Sequence, residues 1–174
     1  MYNYRPMTAD DVFLVAEIER KCFTDAWSVA MFVDILHEDN QLFYIIEDDG
    51  KIIAYAGMLL VLDEAQILNV AVDDEYRRRN IGQKLMKLLF AKGRSLGMTR
   101  FTLEVRESNL PAVCLYKKLG FYEVGKRPNY YTKPSEAAIL MDYDCGPDGT
   151  DFFDDTVENG IFDDIEDFGS LDDF

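Results

Sequence analysis

Between residues 42 and 72 the apolar residues come in three dense runs, and from Ile81 onward they recur every three or four positions. That change of period constrains the fold more than any other feature. Residues 42–46 are aromatic and β-branched, Asp48-Asp49-Gly50-Lys51 is a turn, and 52–62 and 65–72 are two further apolar runs. Runs of this kind, closed by Gly and Asp, are strands, and a short turn between the first two makes an antiparallel hairpin. Ile81, Leu85, Leu88 and Leu89 fall on one helical stripe that Gly97 ends. A strand therefore runs through the charged stretch 73–80 directly into a helix.

The flanking segments extend the pattern. Residues 2–6 read as a short first strand. Thr8 offers an N-cap for a helix over 8–22, with Val15, Ile18 and Cys22 at helical spacing. Ser28 caps a second helix that ends near His37, with Trp27 and Phe32 at the two positions of a hydrophobic staple. Residues 101–105 are a strand. Asn109 starts a short helix with Ala112, Leu115 and Leu119 inward and Gly120 as its stop, and 121–124 and 138–141 are the last strands. The predicted order is β-α-α-β-β-β-α-β-α-β-β, an α/β (α+β) domain with a mixed sheet and helices on its faces.

Charge divides the chain in two. The 174 residues carry 33 acids, 18 bases and a net charge of −15, yet residues 142–174 hold 13 of the acids and no base. The body is thus near neutral. We expect a domain over 1–143 and an acidic, disordered tail over 144–174, in which Phe152, Phe153, Ile161, Phe162, Ile165, Phe168 and Phe174 make an acidic-aromatic pattern. A solvated extension and an interaction tail are both open readings.

Other classes fall away. The N-terminus lacks the apolar stretch of a signal peptide. The longest charge-free apolar run, 52–62, is far short of the ~20 residues of a spanning helix. Cys22, Cys114 and Cys145 are odd in number and widely spaced, and with one His no metal site is expected. A reduced, cytoplasmic setting is the default. His37 follows a predicted helix in a polar stretch, a poor place for the base of a nucleophilic triad.

The stretch Leu68-Asn69-Val70-Ala71-Val72-Asp73-Asp74-Glu75-Tyr76-Arg77-Arg78-Arg79-Asn80-Ile81-Gly82-Gln83 carries the chemistry. Free amides at a helix N-terminus, the helix dipole and three arginines together make an anion site. Gly82 lets a ligand's backbone contacts come close, and Asn80 tolerates positive φ better than most residues. Pyrophosphate is the implied ligand, and a solvated Arg-rich turn is the plainer alternative. Lys84 lacks the Gly-Lys-Ser/Thr context of a P-loop, and the glycine spacing is not that of a dinucleotide fold.

Arg77-Arg78-Arg79-Asn80-Ile81-Gly82 resembles the R/Q-x-x-G-x-G/A acetyl-CoA loop of the GNAT N-acetyltransferases, with Asn80 in place of the first Gly. Trp27-Ser28, Leu62-Asp63-Glu64-Ala65, Asn69-Val70-Ala71-Val72, Leu103-Glu104-Val105-Arg106-Glu107-Ser108-Asn109, Leu115-Tyr116, Leu119-Gly120-Phe121 and Asn129-Tyr130-Tyr131 are similar to the RimI-type subgroup, the ribosomal-protein alanine N-acetyltransferases. The resemblance spans about residues 2–142. It implies a mostly antiparallel sheet of about six to seven strands with about four helices. It also implies acetyl-CoA as cosubstrate, and the N-terminus of a basic ribosomal protein as acceptor, with no direct nucleic acid and no membrane.

The same resemblance implies residue roles. Glu104 is the general base and Tyr116 the general acid. Val70, Ala71 and Val72 hold the pantetheine arm, Arg78, Arg79, Asn80, Ile81, Gly82 and Gln83 take the pyrophosphate, and Asn109 touches the CoA arm. Asn129, Tyr130 and Tyr131, expected in a loop between the last strands, line the peptide cleft. Each residue has a plainer reading: Glu104 paired with Arg106, Tyr116 packed in the core, Asn109 as a helix cap, Asn129–Tyr131 as a solvated turn. Transfer to another primary amine, and a non-catalytic acyl-CoA-binding module, are the competing functions. The acidic tail is expected to contact a basic partner or the CoA-binding loop.

Overall fold

The computed structural model describes residues 2–146. Its elements are β1 (Tyr2–Pro6), α1 (Val12–Cys22), α2 (Val29–Ile35), β2 (Gln41–Asp48), β3 (Lys51–Val61), β4 (Glu64–Val72), α3 (Ile81–Ser95), β5 (Arg100–Arg106), α4 (Leu110–Lys118), β6 (Tyr122–Thr132) and β7 (Ser135–Asp144), with short 3-10 turns before α1 and α3. This is the predicted order. The seven strands form one sheet, β1-β2-β3-β4-β5-β7-β6. Every pairing is antiparallel except β4 with β5, which α3 connects as a crossover.

Both faces of the sheet are covered. On β2, Phe43 and Ile45 pack with Val12, Val15, Ile18, Phe32 and Ile35 of α1 and α2, whereas Tyr44 and Ile46 pack with the cluster that includes Leu85, Leu88 and Leu89 of α3 and Leu119 after α4. Successive side chains of a strand point to opposite faces, so the unbroken apolar runs read from the sequence are strands buried on both sides. The start of α2 is built as expected. Ser28 Oγ accepts the Met31 N–H at 3.3 Å, and the Trp27 and Phe32 rings lie 5.6 Å apart.

One irregularity shapes the sheet where β4 parts from β5. In β4, pairing with β3 shifts register between Gly57–Asn69 and Met58–Ile67, leaving Leu68 as an extra, bulged residue. Pairing of β4 with β5 ends at the same place, at Ile67–Leu103. A bulge bends its strand and increases local twist, so residues 68–72 part company with residues 104–106.

The last hairpin differs from the sequence reading. β6 and β7 run over Tyr122–Thr132 and Ser135–Asp144, much longer than 121–124 and 138–141. The reason is that β6 is an edge strand with mostly exposed residues, so it carries no apolar alternation to read. Asn129, Tyr130 and Tyr131 therefore lie within β6 and not in a loop. They occupy an irregular stretch where pairing jumps from Arg127–Ala138 to Tyr131–Glu136. Asp142 and Asp144, the first acids of the acidic run, are strand residues that form ion pairs with Arg100. The tail expected beyond them lies outside the described residues from 147 onward. No helix among the described residues is long and apolar enough to cross a membrane.

Candidate active site

The divergence of β4 from β5 creates the site. Beyond the bulge, Asn69, Val70, Ala71 and Val72 pair with β3 on one side only. Strand backbone groups alternate in direction, so part of this stretch faces away from β3, on the side where an extended ligand can pair with it. The Val72 carbonyl accepts from Arg77 Nε at 3.3 Å and from Cys22 Sγ at 3.6 Å, which fixes the exit of β4 into the arginine turn.

That turn is tightly specified. Asp73 accepts the Glu75 N–H at 3.2 Å, and Arg77 pairs with Asp74 at 2.8 Å. The Arg79 guanidinium lies 5.0 Å from the centre of the Tyr76 ring. Arg78 and Asn80 both have left-handed backbone, with φ of 60° and 61°. Asn80 thus holds a conformation that glycine adopts without strain, and its carbonyl accepts the Lys84 N–H at 3.0 Å as α3 begins. Arg78 and Arg79 are exposed and make no ion pair with another described residue, so two cations stand beside the first amides of α3. A Cβ on Gly82 would lie 3.3 Å from Leu115 of α4, so the glycine brings the start of α3 close to the helix that carries Tyr116.

On the opposite side of the divergence, Leu103 and Val105 face the core while Glu104 and Arg106 face the other way. Glu104 pairs with Arg127 of β6 at 2.8 Å and with its carboxylate 16% exposed. Its acceptor oxygens also push the Tyr130 hydroxyl above the ordinary phenol range. The expected partner, Arg106, turns elsewhere. Its guanidinium reaches Thr24, Asp25, Lys133, Pro134 and Glu136, and sits over the Tyr131 ring.

Tyr116 lies on the buried side of α4, against Phe121. Burial first, and then the neighbouring Tyr131, push its hydroxyl well above the usual phenol value, so it stays protonated at neutral pH. Tyr131 is itself raised to about 12, chiefly by burial, with the Arg106 cation opposing. Asn109 Oδ1 accepts the Ala112 N–H at 3.3 Å and caps α4.

The structure therefore brings Glu104, Tyr130 and Tyr131 together, puts Tyr116 within electrostatic reach of Tyr131, and sets Val70–Val72 on the part of β4 that β5 leaves unpaired, with Arg78–Gln83 in the turn and first residues of α3 that follow it. Asn129 is more remote in role: it is exposed, and its Oδ1 accepts from Ser135 Oγ at 3.2 Å within the hairpin. His37 is exposed and bonds the Val33 carbonyl at 2.7 Å. The sequence reading leaves unmarked both Arg127, the partner of Glu104, and Glu19, which accepts from Asn69 Nδ2 of β4 at 3.1 Å. Arg127 sits in an edge strand without pattern. Glu19 sits on the apolar stripe of α1 as its one charged residue, a signal that was available.

The Acetyltransferase (GNAT) family pattern matches residues 13–121, well over half of the chain. The chain belongs to the GNAT acetyltransferase family. This acetyltransferase is 38% identical over 143 residues to the ribosomal protein bS18-alanine N-acetyltransferase of Escherichia coli strain K12, covering 81% of this chain and 96% of that one. The crystal structure of the ribosomal-protein-S18-alanine N-acetyltransferase from Escherichia coli superimposes with a TM-score of 0.77 at 34% identity, covering 83% and 94% of the two chains. Ard1 from Thermoplasma volcanium gives 0.76 at 29% identity, covering 82% and 97%. The GNAT acetyltransferases use acetyl-CoA, which is the cosubstrate here. The open edge of β4 and the cationic start of α3 suit a flexible amide-bearing arm joined to a diphosphate.

Proposed function

We propose that this enzyme transfers the acetyl group of acetyl-CoA to the α-amine of a protein that begins with alanine, a small-subunit ribosomal protein, with Glu104 as base and Tyr116 as acid. The supporting observation is the convergence on Tyr131. A carboxylate on β5 and a buried, protonated phenol on α4 are both coupled electrostatically to one aromatic residue, Tyr131, which packs on Arg106 at the end of β5.

In this reading Arg78, Arg79 and the amides of Ile81, Gly82 and Gln83 bind the pyrophosphate, and the open edge at Val70–Val72 orients the pantetheine arm, with Asn109 at its side. An N–H of that edge polarises the thioester carbonyl, as preorganised donors do in acyl transfer. Glu104 removes the proton from the acceptor's ammonium, directly or through one water, and its pair with Arg127 exchanges for that ammonium. An α-amine with a reference pKa of ~8 is an accessible target. Tyr116 starts protonated, the state a donor needs, and its hydroxyl delivers a hydrogen bond and then a proton to the departing sulfur. Burial makes it a reluctant acid, so it acts where negative charge has developed. Tyr130 and Tyr131, with Asn129 at the rim, line the acceptor cleft.

The test is acetyl-CoA consumption against a panel of short peptides and small amines, with mass spectrometry locating the added group. Acetylation confined to the α-amine of Ala-initiated peptides is expected. Turnover of polyamines or lysine side chains alone overturns the acceptor, and binding of acetyl-CoA without transfer overturns the enzyme reading.

A further inference from the structure

We propose that Arg106 is a positioning residue that ties the two walls of the acceptor cleft into one rim, an inference that rests on reading that cleft as the peptide site. One wall is the β6–β7 hairpin, which carries Tyr130 and Tyr131, and the other is the turn between α1 and α2, which meets the tip of that hairpin where Thr24 Oγ1 donates to the Lys133 carbonyl. They are far apart in sequence, and neither has a regular element to hold it against the other.

Arg106 bridges them from the end of β5. Its Nη2 lies 3.1 Å from Thr24 Oγ1 and 3.3 Å from Asp25 Oδ2 on the turn, and 3.3 Å from the Lys133 carbonyl on the hairpin. Its Nη1 lies 3.4 Å from the Pro134 carbonyl and 3.5 Å from Glu136 Oε2. The guanidinium carbon stands 4.0 Å from the centre of the Tyr131 ring. Thr24 Oγ1 closes the bridge by donating to the Lys133 carbonyl at 2.7 Å. The network continues inward. Ser108, whose amide and hydroxyl both bond Glu136, lies next to Asn109, the cap of α4.

Guanidinium chemistry is needed for this. A planar fork of five N–H groups reaches acceptors on several segments at once, while its face stacks on an aromatic ring. An ammonium is a point charge and serves one or two acceptors in no fixed plane. The side chain is only 20% exposed and one of its two carboxylate partners, Glu136, is also held by the amide and hydroxyl of Ser108, so the arginine is committed to the rim and is not a loose surface cation. It touches no reacting group. Its effect on transfer passes through Tyr131 and the rim.

The test uses Arg106→Ala, Arg106→Lys and Thr24→Val in the full chain, with two readouts. In steady-state kinetics on an Ala-initiated peptide, Arg106→Ala raises the peptide KM about tenfold or more, with acetyl-CoA KM within about twofold of wild type. Arg106→Lys does not restore it, and Thr24→Val shows the same pattern to a smaller degree. In hydrogen exchange on the free enzyme, amides of residues 23–28 and 131–136 exchange faster together in Arg106→Ala, while α3 is unchanged. Full rescue by lysine, acceleration in one wall only, acceleration throughout, or equal rises in both KM values each overturn the tie. If wild-type enzyme fails to turn over any peptide, the acceptor reading fails, while exchange alone still decides whether Arg106 joins the walls.

Discussion

Asn80 shows how a single residue can depart from a motif and keep its geometry. With φ at 61° it holds left-handed backbone, which glycine adopts freely and asparagine tolerates better than most other residues. Asn80→Gly is therefore expected to leave the acetyl-CoA KM within about threefold, whereas Asn80→Val, a β-branched residue for which left-handed backbone costs about 1–2 kcal/mol or more, raises it about tenfold. Steady-state titration of acetyl-CoA checks both. The two proposed proton carriers separate in the same way. Tyr116→Phe lowers kcat about 10- to 100-fold with little change in acetyl-CoA KM, because the hydroxyl acts on charge that develops late. Glu104→Gln lowers the rate most at low pH, where the amine is most protonated. A loss independent of pH removes the base role. At this scale the arginine turn was legible from its own residues, and Glu104 and Tyr116 were proposed only through the family resemblance. The sequence did not carry the partner of Glu104. Two residues apart on one strand face, Glu104 and Arg106 look like a pair, yet the arginine is drawn to a denser set of acceptors, and Arg127 takes its place from an edge strand.

Among the elements, β3 and β4 carry the decisive feature, and the sequence shows it only in part. The runs announce two strands but not the bulge at Leu68, because an extra residue in a strand buried on both faces leaves no break in an apolar pattern. Gly57, opposite the bulge, is the visible trace: a Cβ there would lie 2.1 Å from the Phe43 ring. Gly57→Ala should destabilise the fold by about 1–3 kcal/mol through overpacking, read by denaturant unfolding. The elements are also pinned by two carboxylates of opposite titration behaviour. Asp11, after β1, accepts from Nη1 and Nη2 of Arg5 at 2.6 and 2.8 Å. It is lowered to about 2, first by that arginine. A depressed carboxylate stabilises above its unfolded value of ~3.9 and loses that contribution as pH falls toward the folded value. Glu19 is the reverse. It is 1% exposed and burial pushes it up, although it accepts the Trp27 N–H at 3.0 Å and Asn69 Nδ2 at 3.1 Å, with Tyr55 alongside. Its contribution is greatest below the unfolded value of ~4.3 and falls as pH rises through the folded one. Thermal unfolding against pH should show Asp11→Asn flattening the acid limb between about pH 4 and 2, and Glu19→Gln reducing the decline above about pH 4.5.

For the molecule as a whole, the order of elements was legible because each segment's local pattern agrees with the fold it joins. The relation of the body to the acidic run was not, since charge reports no distance. Residues 147–174 hold eleven acids and no base. They follow Cys145, whose amide bonds the Thr99 carbonyl at 2.8 Å, near the C-terminal end of α3. The arginine turn lies at the other end of that 15-residue helix, about 22 Å away along its axis. Two tasks are open to such a run, drawing a basic acceptor toward a body that is itself near neutral and competing with phosphate for the arginine turn. Removing residues 147–174 takes the net charge from −15 to −4. The shortened enzyme should then show a several-fold higher KM for a basic Ala-initiated peptide at low salt. The difference should close as the Debye length shrinks from about 30 Å at 0.01 M to about 8 Å at 0.15 M ionic strength. The acetyl-CoA KM should stay the same at both. A lower acetyl-CoA KM on truncation would instead mean that the acids compete with phosphate for Arg78 and Arg79. Identical peptide kinetics at low salt would leave the run no part in acceptor capture.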